Sequence, residues 1–179
     1  MQLTEYKLAN ILQQNNGNPK LSPIYFLYGD ESFIIKQYTD QILKISQRQG
    51  YTETIRQNID QQAPIEPIQN HLISSSLFSD KQCLIFSLSQ FPNDKIANLI
   101  IKYAKNPDKN KILIITYKKL TKAQQKSTYF DAINKTGITV AIWPPQAHNM
   151  PTWIQNQAKR YSLTLDSSAI KAILASTEN

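Results

Sequence analysis

Short apolar runs alternate along this chain with stretches in which apolar residues recur every three or four positions. Ile24-Tyr-Phe-Leu-Tyr28, Gln82–Leu88 (QCLIFSL), Lys111–Tyr117 (KILIITY) and Ile138–Trp143 are runs of β-formers without polar alternation. That is the pattern of strands buried on both faces. Residues 51–59, with Thr52, Thr54, Ile55 and Ile59, read as a weaker strand, second in chain order. Leu3, Leu8, Ile11 and Leu12 share one face of a first helix, ended by the Asn-Asn-Gly-Asn-Pro run at 15–19. Ile34, Tyr38, Ile42 and Ile45 predict a helix that stops near Gly50. Pro64 and Pro67 open a short helix through Ile73, and Pro92 starts another with Ile96, Leu99, Ile100 and Tyr103 inward. Residues 121–135 form one more, with Phe130 and Ile133 inward and Gly137 as its C-cap. Five apolar strands alternating with helices predict an α/β fold: a parallel five-stranded sheet flanked by helices on both faces.

After Trp143 the pattern changes. Pro144-Pro-Gln-Ala-His-Asn149 reads as a linker, and Met150 to Tyr161 as a helix with Trp153, Ile154, Ala158 and Tyr161 on its apolar side. Asp166 caps a last helix carrying Ile170, Ile173 and Leu174. Two helices do not close a core by themselves. Residues 1–143 are therefore expected to form the α/β domain. Residues 144–179 are expected to be a linker and the first helices of a second, helical unit, with the chain ending inside or just after it.

Composition narrows the chemistry. With 179 residues the chain is long enough for a core without disulfides or metals. Cys83 is the only cysteine, so no intrachain disulfide and no cysteine-based zinc site is expected. His71 and His148 are far apart and form no metalloprotease pair. The longest apolar runs fall well short of the ~20 residues of a membrane span, and the N-terminus lacks the basic start and apolar core of a signal peptide. A cytoplasmic protein without membrane contact is the expectation.

Net charge is +7, but it is unevenly placed. Residues 95–126 carry nine lysines against one acid, Asp108, whereas residues 1–94 carry 7 basic and 9 acidic groups. A basic segment of this kind suits polyanions. Solvated lysines on exposed helices are the plainer reading, because only three basic residues in the chain are Arg, the better phosphate clamp.

The first strand-to-helix turn is where a nucleotide-binding α/β protein places its phosphate loop, GxxxxGK[ST]. Here the turn reads Gly29-Asp-Glu-Ser-Phe-Ile34. It has one glycine, two carboxylates where phosphates would lie, and no Lys-Ser/Thr, so ATP binding there is not expected. Asp30 and Glu31 are better explained as a turn with helix N-terminal charges than as a catalytic pair. Cys83 lies within a buried strand, where a thiol is inert packing. No nucleophile, base and orienting group occur together, so no catalysis and no cofactor or metal is expected, and a binding or scaffold role is.

One connection is unusual. Ser74-Ser-Ser-Leu77-Phe78-Ser-Asp-Lys81 sets two large apolar residues among small polar ones, between a helix and a buried strand. Two readings stand. Leu77 and Phe78 fold inward as a plug over the end of the sheet, or they project as an apolar wedge into a partner's pocket.

The chain resembles the N-terminal part of the delta subunit of bacterial DNA polymerase III, a component of the sliding-clamp loader. The residues that carry the resemblance are Tyr25-Phe-Leu-Tyr-Gly-Asp-Glu-Ser-Phe33, Ser76-Leu-Phe-Ser-Asp-Lys81, and Lys119-Leu-Thr-Lys-Ala-Gln124 with Phe130 beyond it. Gly137-Ile-Thr-Val140, Pro151-Thr-Trp-Ile154 and Glu178-Asn179 follow in the same order. The resemblance implies an AAA+-like module of the P-loop-NTPase type without a functional P-loop, followed by the start of a small helical lid domain. The family's C-terminal collar domain would lie outside these residues. The implied work is non-catalytic: to bind and open the ring-shaped clamp, the beta subunit, for loading onto primed DNA. The partners implied are that clamp, the gamma/tau and delta prime loader subunits, and DNA in the assembled complex. Polymerase activity would reside in another subunit of the holoenzyme. The family's apolar clamp contact maps onto Leu77 and Phe78, with Ser75 and Ser76 before them. Family members often carry a larger apolar residue where Ser75 stands. Lys118, Lys119, Lys122 and Lys126 would face DNA or neighbouring subunits. The competing reading is a DNA-binding module that uses the 95–126 lysines.

Overall fold

The computed structural model describes residues 1–74 and 80–177. The chain divides into two compact units, Met1–Ile142 and Trp143–Asn179.

The first unit is a parallel sheet with helices on both faces. Its strands are β1 (Gln2–Leu3), β2 (Ile24–Gly29), β3 (Glu53–Ile59), β4 (Gln82–Leu88), β5 (Lys111–Tyr117) and β6 (Ile138–Ile142). They lie in the order β1-β6-β2-β5-β4-β3. The sheet thus has six strands rather than the five expected. The extra one, β1, pairs Gln2 with Thr139 and Leu3 with Val140. A two-residue strand is too short to leave a periodic signal, and Leu3, expected on the first helix, belongs to it instead.

The helices of this unit are α1 (Glu5–Gly17), α2 (Ser32–Arg48), α3 (Ile65–Ile73), α4 (Asp94–Lys105), α5 (Lys122–Gln125) and α6 (Thr128–Thr136). The single helix expected over 121–135 is two. Thr121 and Gln124 close a capping box on α5, and the Ser127 hydroxyl accepts from the Phe130 N–H to start α6 afresh. Both side chains satisfy amides that a continuous helix would have paired internally. Successive residues of each strand face opposite layers. On one face Phe26, Phe86, Leu113 and Ile115 meet Ile68 and Leu72 of α3, Ile96 and Ile100 of α4, and Phe130 and Ile133 of α6. On the other, Tyr25, Leu27, Ile85 and Ile114 are buried, as are Leu8 and Leu12 of α1 and Ile34, Tyr38 and Ile42 of α2.

Because all strands run the same way, the sheet has two distinct edges. Ile24, Glu53, Gln82, Lys111 and Ile138 begin strands at the N-terminal edge; Gly29, Ile59, Leu88, Tyr117 and Ile142 end them at the other.

The second unit holds a short 3₁₀ turn, Ala147–Asn149, and two helices packed on one another, α7 (Met150–Arg160) and α8 (Ser167–Thr177). The Asp166 carboxylate accepts from the Ala169 N–H at 2.7 Å, as its capping role requires. Tyr161, expected on the apolar side of α7, lies past its end and is exposed.

Candidate functional site

The C-terminal edge is the position where open α/β sheets hold their ligands. An open cleft of about 490 Å³ lies there, lined by Asp30, Ser32, Lys36, Asp40, Arg56, Ser87, Thr116 and Lys118 among others. Its electrostatics are mixed. Two carboxylates stand among three cations, and Lys36 pairs with Asp40 one helical turn away. Asp30 lies 3.3 Å from the Lys119 ammonium, so the turn residue that would repel phosphate is neutralised by a neighbour in the chain. Gly29 is also explained without phosphate. It has φ +151°, and a Cβ there would meet the Ile142 carbonyl oxygen at 1.7 Å. The glycine lets β2 and β6 close together. Gly137 likewise is no left-handed cap: its φ is −116°, and a Cβ there would meet the Ile24 carbonyl oxygen at 2.5 Å. No group of His, Cys, Asp and Glu able to hold a metal occurs among the described residues.

The N-terminal edge is built differently. The chain leaves α3 at Ser74 and returns at Asp80 to start β4. Leu77 and Phe78, with Ser75 and Ser76, fall in the connection 75–79, outside the described residues. Its two roots are described. Lys111 is buried, 2% exposed, and its ammonium donates to the carbonyls of His71 (2.8 Å) and Ser74 (2.7 Å). Burial pushes its pKa down, while Asp108 and Glu53 pull it back up. Lys81 donates to the Gln49 carbonyl at 3.1 Å and lies 5.1 Å from the centroid of the Tyr51 ring. The Tyr51 hydroxyl in turn donates to the Lys109 carbonyl.

The basic segment does not form one patch. β5 crosses the core and separates its ends by about 20 Å at ~3.3 Å per residue. Lys102 and Lys105, in the last turn of α4, and Lys109 lie toward the N-terminal edge. There the two helix lysines complement the C-terminal dipole. Lys118, Lys119, Lys122 and Lys126 follow β5 at the other edge, all exposed. Lys111, counted with the positive field, is in the interior.

Sequence reasoning named the residues of the connection and missed what fastens its roots. Lys111 is the first of the inward row Lys111, Leu113, Ile115, Tyr117. In a strand buried on both faces no alternation marks which face its first residue takes.

The six-stranded parallel sheet with helices on both faces is an AAA+-like α/β fold of the P-loop-NTPase type. A sequence profile of the family described as "DNA polymerase III, delta subunit" matches residues 25–142, more than half of the chain. The chain belongs to that family. It is 26% identical over 153 residues to DNA polymerase III subunit delta of Escherichia coli (strain K12), covering 85% of this chain and 45% of that protein. It is 26% identical over 162 residues to the same subunit of Haemophilus influenzae, covering 89% and 47%. The chain therefore spans a little under half the length of these two relatives. Among solved structures, the Bacillus subtilis DNA clamp loader delta protein superposes with a TM-score of 0.66 at 13% identity, over 94% of this chain and 51% of the other. The Aeropyrum pernix ORC2 protein does so with a TM-score of 0.50 at 10% identity, over 87% and 50%. At such identities these two likenesses speak to the fold. No helix among the described residues is long and apolar enough to cross a membrane.

Proposed function

We propose that this chain is the clamp-binding part of a clamp-loader subunit, and that Leu77 and Phe78 are the wedge it inserts into an apolar pocket of the ring-shaped sliding clamp. The observation that carries the reading is the delta-family match across residues 25–142, which spans the Leu-Phe pair. Burying two such side chains supplies roughly 1.5–3 kcal/mol each, the scale of interface anchors. Wedge binding favours an open ring only in so far as the open form receives the wedge better than the closed one. The chain performs no chemistry of its own: nucleotide hydrolysis belongs to neighbouring subunits of the loader. Residues 144–179 are the linker and the beginning of the lid domain. Ser75 and Ser76 lead into the wedge, and the small Ser75 limits the apolar area it offers. Lys118, Lys119, Lys122 and Lys126 contact DNA or a neighbouring subunit from the opposite edge of the sheet.

Surface plasmon resonance against the cognate clamp tests this, with a Leu77→Ala/Phe78→Ala double variant beside the parent. Binding by the parent that falls at least a hundredfold in a still-folded variant is the expected result. Equal binding by both proteins removes the wedge. DNA binding that weakens steeply with salt and survives the double substitution would put the lysine segment in its place.

A further inference from the structure

The two roots of the 75–79 connection are each held by a buried or half-buried lysine whose ammonium is spent on backbone carbonyls. We propose that Lys111 and Lys81 are positioning residues that fix the two ends from which the clamp-contact segment is presented; this rests on the wedge reading above.

An ammonium taken out of water loses solvation worth several kcal/mol unless its donors find acceptors. A strand end beside solvent has no need of one, because a Leu or Met would fill the same row as Leu113 and Ile115. At Lys111 the acceptors are the carbonyls of His71 and Ser74, in the last turn and at the C-cap of α3. These belong to the carbonyls that a helix leaves unpaired at its end. A cation there also meets the negative end of the helix dipole. The interaction fixes the last described residue before the segment to the first residue of β5. The Ser74 N–H donates to the Asn70 carbonyl at 2.8 Å, so the last turn is closed on both sides.

At the other root, Lys81 spans to a different element. Its bond to the Gln49 carbonyl and its place over the Tyr51 ring tie the start of β4 to the α2–β3 connection. The next residue continues the fastening: the Gln82 N–H donates to the Asn110 carbonyl at 2.9 Å, and its side-chain amide to Glu53 at 3.0 Å. Both ends of the connection are thereby fixed before any partner arrives. Less ordering is then left to be done when a partner binds. The lysines act through the segment and need not touch the clamp.

The test uses the chain as it stands, with Lys111→Met, Lys81→Met, Lys111→Arg and Leu77→Ala/Phe78→Ala variants. Clamp affinity is measured at a temperature where each variant is fully folded, and amide exchange is followed at Ser74 and along β4 and β5. A residue that only stabilises the fold would lower the melting temperature without changing the affinity of the folded protein. The expected result is about tenfold weaker clamp binding for Lys111→Met and about threefold for Lys81→Met, from loss of preorganisation. Ser74 should exchange faster while β4 and β5 keep their protection. Lys111→Arg, which retains charge and paired donors, should recover most of the affinity. If Lys111→Met does not fold, Lys81→Met carries the test alone. Parent-like affinity in the folded lysine variants, with the Leu77/Phe78 variant inactive, overturns the positioning role and leaves the wedge standing. Parent-like affinity in the Leu77/Phe78 variant overturns both.

Discussion

The two edges of this sheet bury different polar groups, and atoms orphaned among the described residues occur near both, including Gln82 Oε1 at the N-terminal edge. At the N-terminal edge an ammonium is in the interior and has two carbonyls to donate to. Toward the C-terminal edge, on the same face, the Tyr129 ring stacks edge-on against Phe26 and Phe91, and its buried hydroxyl has no hydrogen-bond partner among the described residues. The C-terminal edge is where a P-loop protein concentrates its satisfied polar contacts, on a phosphate. Here the glycine of the first turn serves strand packing and its aspartate is matched by a lysine of the same chain. In this sheet a buried, hydrogen-bonded charge stands at the edge opposite the usual ligand site.

The largest effect expected at the C-terminal edge is that of Gly29→Ala. The added methyl has nowhere to go but into the Ile142 carbonyl, and relief requires β2 and β6 to part. Overpacking against backbone on this scale should destabilise by ~3 kcal/mol or more, read as a fall in the urea midpoint at unchanged slope. A glycine kept only for a former phosphate site would tolerate alanine, so near-parent stability would break the comparison at its root.

How much of this was visible in the sequence differs between the edges. The strands Gln82–Leu88 and Lys111–Tyr117 are where their unbroken apolar runs put them, because burial on both faces is written into every residue. The first turn was legible too, since the missing Lys-Ser/Thr is a matter of residue identity. The partners of Lys111 were not. Its donors reach carbonyls some forty positions away, and a carbonyl has no letter of its own in a sequence. The division of the lysine segment was hidden for a related reason: charge is counted along the chain, whereas β5 carries the chain through the core between one lysine group and the next. The break between α5 and α6 was legible only as Ser127, a residue equally at home on a helix surface.

Alkaline pH should act next most strongly, and at the N-terminal edge. Burial pushes the Cys83 thiol, second residue of β4, up from 9.0 to about 11, against opposing contributions from Ser46 and Arg56. The unfolded chain therefore releases this proton first. The stability so conferred is complete below 9.0 and is lost as pH rises through about 11, an interval corresponding to roughly 3 kcal/mol. Tyr25, raised by burial to about 12, extends the decline upward. Urea midpoints should fall steadily from pH ~9 to ~11, and less steeply in Cys83→Ala. An unchanged slope in that variant would move the effect to the tyrosines.

Tyr129→Phe sharpens the contrast from the other side. Removing a hydroxyl that is buried without a partner relieves its desolvation and leaves no group orphaned, so stability should rise by about 1 kcal/mol. The ring contacts with Phe26 and Phe91 are kept. A loss of stability instead would mean that the hydroxyl is satisfied after all.

The smallest effect belongs to the Asp30–Lys119 pair, and its smallness is informative. Both side chains are roughly half exposed or more, so water screens them and the pair should be worth no more than ~1 kcal/mol. Lys119→Ala and Asp30→Asn should each shift the urea midpoint only slightly, and the double variant should show little coupling between them. The pair's consequence is for ligands rather than for folding. Removing Asp30 deletes the carboxylate that faces the cleft beside Ser32, and leaves Lys119 to add to Lys36, Arg56 and Lys118. Asp30→Asn should still gain no melting temperature from millimolar MgATP, because one less repulsion does not supply the missing glycines and Lys-Ser/Thr that cradle a triphosphate. A rise of several degrees in that variant would mean that a single carboxylate had been holding a competent nucleotide site closed, and the two edges would then differ in regulation rather than in construction.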